Sequence, residues 1–141
     1  MPSDHFTHPP AADRSRRDFA ALQRLAERHA DTETRRRRHT NPYLPEPYEA
    51  VGVVLALAAG AAETTPGEEP VDQADLIAAL TLLPRIRADV DTLEAGLLGL
   101  ARSRGLTWQA IAHGLGLGSA QAARQRFERV AGRAADGGAA P

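Results

Sequence analysis

The sequence predicts an all-α protein of about five helices. Three observations carry that expectation. Apolar residues fill 43% of 141 positions while aromatics fill only 4%. The apolar set is mostly Ala, Leu and Val; Ala and Leu favour helix, whereas strands favour β-branched and aromatic side chains. Apolar residues also recur at spacings of three and four, and Pro, Gly and Ser/Thr punctuate the runs between them.

Residues 1–13, "MPSDHFTHPPAAD", read as a loose polar tail. His5 and His8 lie there without further metal ligands and read as solvated. From Asp13 to about Glu33, Phe19, Leu22, Leu25, Ala26 and His29 form one helical face. "RRRRH" at 35–39 follows. Arg35, Arg36, Arg37 and Arg38 are a candidate phosphate-contacting arm; equally, cations suit a helix C-terminus. "TNPYLPEPYEA" cannot continue a helix, because Pro42, Pro45 and Pro47 lack amide donors. Tyr43, Leu44 and Tyr48 are expected to pack this connector on the core. A helix over about 46–62 carries Val51, Val53, Val54, Leu55 and Leu57 nearly all round, so it is expected to be buried in the domain or in a dimer interface. "ETTPGEEP", 63–70, is a linker by composition.

Asp72 to about Arg104 holds the strongest periodicity. Leu76, Ala79, Leu83, Ile86, Val90, Leu93, Leu97 and Leu100 keep heptad spacing, widened by Ile77, Leu80, Leu82 and Leu98. Pro84 interrupts this run without breaking its phase, which implies one kinked helix or two helices with Pro84 in the first turn of the second. The heptad stripe and the Val51–Ala61 helix are the two candidate dimer surfaces.

Charge is unevenly distributed around a formal net of −1. Residues 14–39 hold nine Arg and four acids, residues 40–101 two Arg and ten acids, and residues 102–135 six Arg and one acid. There is no cysteine, which excludes disulfides and thiolate metal sites. All 17 basic residues are Arg, whose fork matches phosphate and guanine. The stretch from Arg35 to Glu63 imitates a targeting signal. Its apolar run of about a dozen residues is too short to span a membrane, which takes roughly 20, and Glu46 and Glu49 precede it.

The C-terminal segment "GLTWQAIAHGLGLGSAQAARQRFERV", 105–130, reads as helix, turn, helix. Arg102, Ser103, Arg104 and Gly105 end the preceding helix. Thr107 is an N-cap, and Trp108, Ile111, Ala112 and Leu115 form a buried face. Gly116 ends this helix, Gly118 supplies unusual backbone angles in the turn, and Ser119 caps the next helix. Ala120, Ala123, Phe127 and Val130 point inward. Gln121, Arg124, Gln125, Glu128 and Arg129 lie outward, with Arg126 on a flank. Arg and Gln are the side chains that read guanine and adenine edges, and helix N-terminal amides suit phosphate. Asp89, Asp91 and Glu94 read as a solvated face in which Arg85 and Arg87 pair with Asp89 and Asp91.

At these residues the sequence resembles the helix-turn-helix family of DNA-binding domains. "LARSRGLTWQAIAHGLGLGSAQAARQRFERV" is similar to the small helix-turn-helix proteins common in actinomycetes, a likeness covering roughly residues 75–130. Ala112 matches the small residue of the first motif helix, Gly116 the turn glycine and Leu117 the apolar residue after it. The turn "GLGS" is one residue longer than the usual short form. The resemblance implies that the helix 119–131 lies in the major groove and that Gln121, Arg124 and Gln125 contact DNA.

The expected function is a DNA-binding transcriptional regulator or small nucleoid-associated protein, cytoplasmic and without cofactor. Its partners are double-stranded DNA and a second copy, the homodimer spanning two half-sites. The candidate contacts are Thr107, Ser119, Ala120, Gln121, Arg124, Gln125, Arg126 and Arg129. The alternative is a helical protein-interaction module that binds no DNA. Catalysis is not expected: the chain has no glycine-rich phosphate loop, no His/acid cluster at metal spacing and no nucleophile elbow.

Overall fold

The computed structural model describes residues 11–39 and 46–138, and within them the protein is all-α. Six helices are present among the described residues: α1 Ala11–His29, α2 Glu33–Arg36, α3 Pro47–Ala58, α4 Gln73–Ser103, α5 Trp108–Leu115 and α6 Ala120–Gly138. The helix beyond the expected five is α2, a single turn whose first amides are met by the Thr32 hydroxyl, which accepts from Arg35 N at 3.2 Å. Tyr43 and Leu44 lie outside the described residues. Helix α6 continues to Gly138, past the expected end near residue 131, so the chain after residue 133 opens as helix and not as a tail. No helix among the described residues is long and apolar enough to cross a membrane.

Three of these helices end by one mechanism. Gly60, Gly105 and Gly116 have φ of 74°, 85° and 71°. In each case the following amide reaches back to a carbonyl in the last turn: Ala61 to Ala56, Leu106 to Ala101 and Leu117 to Ala112, at 2.8, 3.0 and 2.8 Å. This six-to-one bond needs a residue in the left-handed region, where a Cβ is strained. Helix α4 runs unbroken through Pro84, which decides between one helix and two. The described residues divide into two compact units just beyond that proline, one up to residue 85 and one from residue 86.

In the first unit α1 packs on α3. The buried face of α1 is Ala21, Leu25 and His29, with Leu22 and Ala26 half-buried beside them, so the expected face holds except at Phe19, which is 69% exposed. In α3 only Ala50 and Val54 are buried, while Leu55 and Tyr48 face solvent. The all-round apolar reading of that helix, and the packing role given to Tyr48, therefore do not hold. One face suffices because α1 is the helix against which α3 packs.

The start of α4 is set by two aspartates. Asp72 Oδ1 accepts from Asp75 N at 2.8 Å, and Asp75 Oδ2 accepts from Asp72 N at 3.2 Å, a reciprocal capping box. The fully buried Asp75 also receives Arg24 Nε at 3.0 Å and Arg28 Nε at 2.8 Å, while Arg24 Nη2 bonds both Asp72 oxygens at 3.0 Å. Helix α1 is thereby tied to the first turn of α4. His29 lies between two carboxylates, its Nδ1 2.7 Å from Glu68 and its Nε2 3.4 Å from Asp75.

The segment 63–70, a linker by composition, is an anchor in the fold. Arg38 donates from both terminal nitrogens to the two Glu68 oxygens at 2.7 Å, and Arg35 Nε donates to Thr65 Oγ1 at 2.7 Å. Arg35 is buried and also pairs with Asp31 at 2.6 Å. Arg37 pairs with Glu33 at 2.9 Å, and Arg36 donates to the Asp31 carbonyl at 3.3 Å. Of the four arginines singled out as a phosphate arm, Arg35 and Arg38 thus hold the fold together, and Arg36 and Arg37 have the more exposed ends.

Two buried groups shape the acid response of this unit, beside the more exposed Asp72, whose carboxyl the Asp75 amide and Arg24 hold below its usual range. The Arg38 guanidinium, with His29 and the Thr65 amide behind it, holds the Glu68 carboxyl well below its usual 4.5. Burial pushes the His39 imidazole below its usual 6.5, Glu49 opposing this and Arg38 adding to it. A histidine with a lowered folded value contributes stability above 6.5 and loses it as pH falls through the lowered value. The Glu68 contribution is complete above 4.5 and is lost as pH falls further. The melting temperature should therefore fall in two stages on acidification, measured by circular dichroism. His39→Gln should remove the stage just below pH 6.5, and Glu68→Gln should shrink the stage below 4.5 while lowering stability at neutral pH. Asp75→Ala, which leaves Arg28 and His29 without that carboxylate, should cost about 3 kcal/mol.

Candidate nucleic-acid interface

The second unit contains the C-terminal part of α4 with α5 and α6. Its core is Leu98, Ile111, Ala112 and Ala123, with Ala101, Trp108, Leu117 and Phe127 packed around it. Trp108 meets Phe127 at a ring-centroid distance of 5.7 Å, and the Arg102 guanidinium lies 4.6 Å over the indole. Trp108 is thus a core residue, as its phase with Ile111 implies. Leu115 is not: it is exposed, and Leu117 on the far side of the turn packs on the core instead.

Thr107 and Ser119 both cap as expected. Thr107 Oγ1 accepts from Ala110 N, and Ser119 Oγ from Ala122 N, each at 3.1 Å. The left-handed turn residue is Gly116; Gly118 has no positive φ, contrary to the role expected of it. The extra residue in "GLGS" is therefore absorbed without a second left-handed glycine, because the six-to-one bond at Gly116 has already reversed the chain.

On α6 the inward set is as expected: Ala123 and Val130 are fully buried, and Phe127 and Ala120 partly so. Gln121, Arg124, Gln125 and Arg129 are exposed on the other side. Ala120, Gln121, Arg124, Gln125 and Glu128, together with Trp108, line an open groove of about 460 Å³ beside the start of α6. Ala120, one of the two alanines at the helix start, contributes no bulk to that groove.

Arg126, expected on a flank of the outward face, is paired within the chain. It donates from Nε and Nη2 to the two oxygens of Glu94 at 3.0 and 3.2 Å. About two turns further on, Arg133 faces Asp91 at 3.5 Å. Asp91 and Glu94 are partly buried and clamp α6 onto α4, so of the acidic face read as solvated these two dock α6 while Asp89 is exposed. Arg124 has Glu128 at 3.7 Å on the exposed surface, a pair of little strength. The basic excess of residues 102–135 is thereby locally thinner than its sequence count, and Arg102, Arg104 and Arg129 make up most of what remains. No group of His, Asp and Glu able to hold a metal occurs among the described residues.

Comparison with protein-family models, with characterised proteins and with solved structures gave no match to this chain.

The two turn glycines should respond differently to one added methyl. Neither site is crowded, since a Cβ would meet nothing within 4 Å at either. Gly116→Ala forces φ 71° on an L-residue and should cost about 1 kcal/mol. Gly118→Ala should be neutral or slightly stabilising, and Ser119→Ala should cost about 1 kcal/mol. Urea unfolding of the three variants measures all of these effects.

Proposed function

We propose that the second unit binds double-stranded DNA with α6 in the major groove, as a transcriptional regulator or nucleoid-associated protein acting as a homodimer on two half-sites. The observation that carries this reading is the exposed start of α6, where Gln121, Arg124 and Gln125 project beside the Ser119 cap from a rigid helix pair. Gln and Arg at such positions can bond purine edges, and Arg102, Arg104 and Arg129 supply cations for flanking phosphates. Arg126 is a positioning residue in this scheme, since its guanidinium is held by Glu94. A second reading, a protein-interaction module, draws on the same pairing of Arg126 and Arg133 with acids and on the apolar residues exposed along α4.

Fluorescence anisotropy with genomic DNA fragments over a salt series separates the two. DNA binding through three or four phosphates should give a slope of about −3 in log affinity against log salt. Arg124→Ala and Gln121→Ala should each cost about 1–3 kcal/mol on the preferred site and little elsewhere. Arg129→Ala should weaken all sequences alike and reduce the slope by about 1. Glu128→Gln removes the one acid of the reading face and should strengthen low-salt binding. No affinity at low salt would leave the interaction module as the function.

A further inference from the structure

Helix α4 has two apolar faces within the second unit, and only one of them is used. Asp91, Glu94, Leu98 and Ala101 turn toward α5 and α6, at spacings of three, four and three. The heptad residues stand one position away and face out: Val90 is 56% exposed, Leu93 65%, Leu97 59% and Leu100 50%. Among the described residues nothing covers them. Scattered exposed leucines are ordinary, but four in consecutive turns on one line are a continuous patch.

The chemistry of that face selects its occupant. From Val90 to Leu100 the only charged residues are Asp91 and Glu94, and both are turned to Arg133 and Arg126. What remains outward is Thr92, Leu93, Gly96, Leu97 and Leu100, flanked by Gly99. An uncharged stripe offers nothing to a nucleic acid or to a charged peptide. It does offer the spacing of three and four by which one helix meets an identical helix side chain to side chain. Gly96 leaves room beside Leu93 and Leu97, and a Cβ there would meet nothing within 4 Å of the chain itself. The stripe covers about three turns, roughly 15 Å of helix, which falls short of the roughly 800 Å² per partner of a stable interface. Self-association through it is therefore weak, in the micromolar range or above.

We propose that Val90, Leu93, Leu97 and Leu100 form a homotypic seam that pairs with the same residues of a second copy of this chain about a two-fold axis. The seam deepens the DNA reading, since it gives the homodimer its interface. Each copy would present its own α6, and two half-sites on one duplex would strengthen an association that is weak without DNA.

Sedimentation velocity of the full chain without DNA, from low to several hundred micromolar, tests the seam. The expected result is a mass rising from one chain to two. Leu93→Glu/Leu97→Glu and the uncharged Leu93→Gln/Leu97→Gln should both remain monomeric throughout. Both should keep the helical circular dichroism of the parent, because these side chains are exposed in the single chain. Tyr48→Ser/Leu55→Ser, which alters the exposed side of α3, should dimerise as the parent does. A parent chain that stays monomeric, folded seam variants that still dimerise, or a dimer lost through the α3 variant would each overturn the proposal. DNA affinity of the monomeric variants for a single half-site is read separately. Its loss at every salt concentration would count against the DNA reading and leave the seam result standing.

Discussion

Asp75 is the constraint on which the first unit depends. It is a fully buried carboxylate at the third position of α4, and three basic side chains of α1 converge on it: Arg24, Arg28 and His29. The same oxygens close the capping box with the Asp72 amide. One residue therefore starts a helix of 31 residues and fixes which turn of α1 lies against it. Burying a carboxylate is costly unless every lone pair finds a donor. Here the donors come from two sequence-distant elements, so any slip of α1 along α4 leaves a buried charge unpaired. The cluster works as a register device more than as a source of net stability.

Glu68 extends the same logic into a segment that has no regular structure. Its carboxylate is held by Arg38 and by the Thr65 amide, with His29 bridging to Asp75. The chain between α3 and α4 is thus tied at both ends of one polar network, and the arginine run after α1 is the counterpart of that tie. In the second unit Asp91–Arg133 and Glu94–Arg126 set α6 on α4 from the side, while Trp108, Phe127 and Leu98 fill the space between helices. The two units use one device, an acidic residue on α4 holding an arginine on another helix, at separate stretches of the same element.

This device also explains which arginines remain for a partner. A guanidinium gripped by a partly buried carboxylate on two nitrogens is a poor phosphate ligand, because leaving would strand the acid. Arg38 and Arg126 are of that kind, and Arg35 is buried with its donors on the Thr65 hydroxyl and Asp31. Arg102 is partly occupied by the indole beneath it and by the Leu106 carbonyl. The exposed start of α6 is different: its side chains make few contacts within the chain, and the helix beneath them is capped and packed. Rigid support with free side chains is the arrangement that recognition requires.

Much was legible in the sequence alone. Helix type and order follow from apolar spacing, and helix ends from Thr107, Ser119 and the glycines at 105 and 116, because a cap or a left-handed glycine acts within one turn of its own chain; Gly60 ends α3 inside the range expected as helix to 62. The inward set of α6 follows from the same local periodicity. Which of two adjacent apolar lines on α4 would be covered was not legible, because both have helical spacing and only the position of α5 and α6 chooses between them. From Val90 on, the heptad line, the stronger one in the sequence, is the one left outside, whereas its Ala79 is buried and its Leu83 and Ile86 half-buried. The fate of the charges was likewise a tertiary matter. A count of arginines and acids is local, but the pairing of Arg126 with Glu94 or Arg38 with Glu68 joins residues about thirty positions apart. Sequence determined the main helices and the capped ends of α5 and the start of α6, since those forces are short-ranged; the fold alone decided which line of α4 is core and which cations are paired, since burial and ion pairing depend on what the chain brings near.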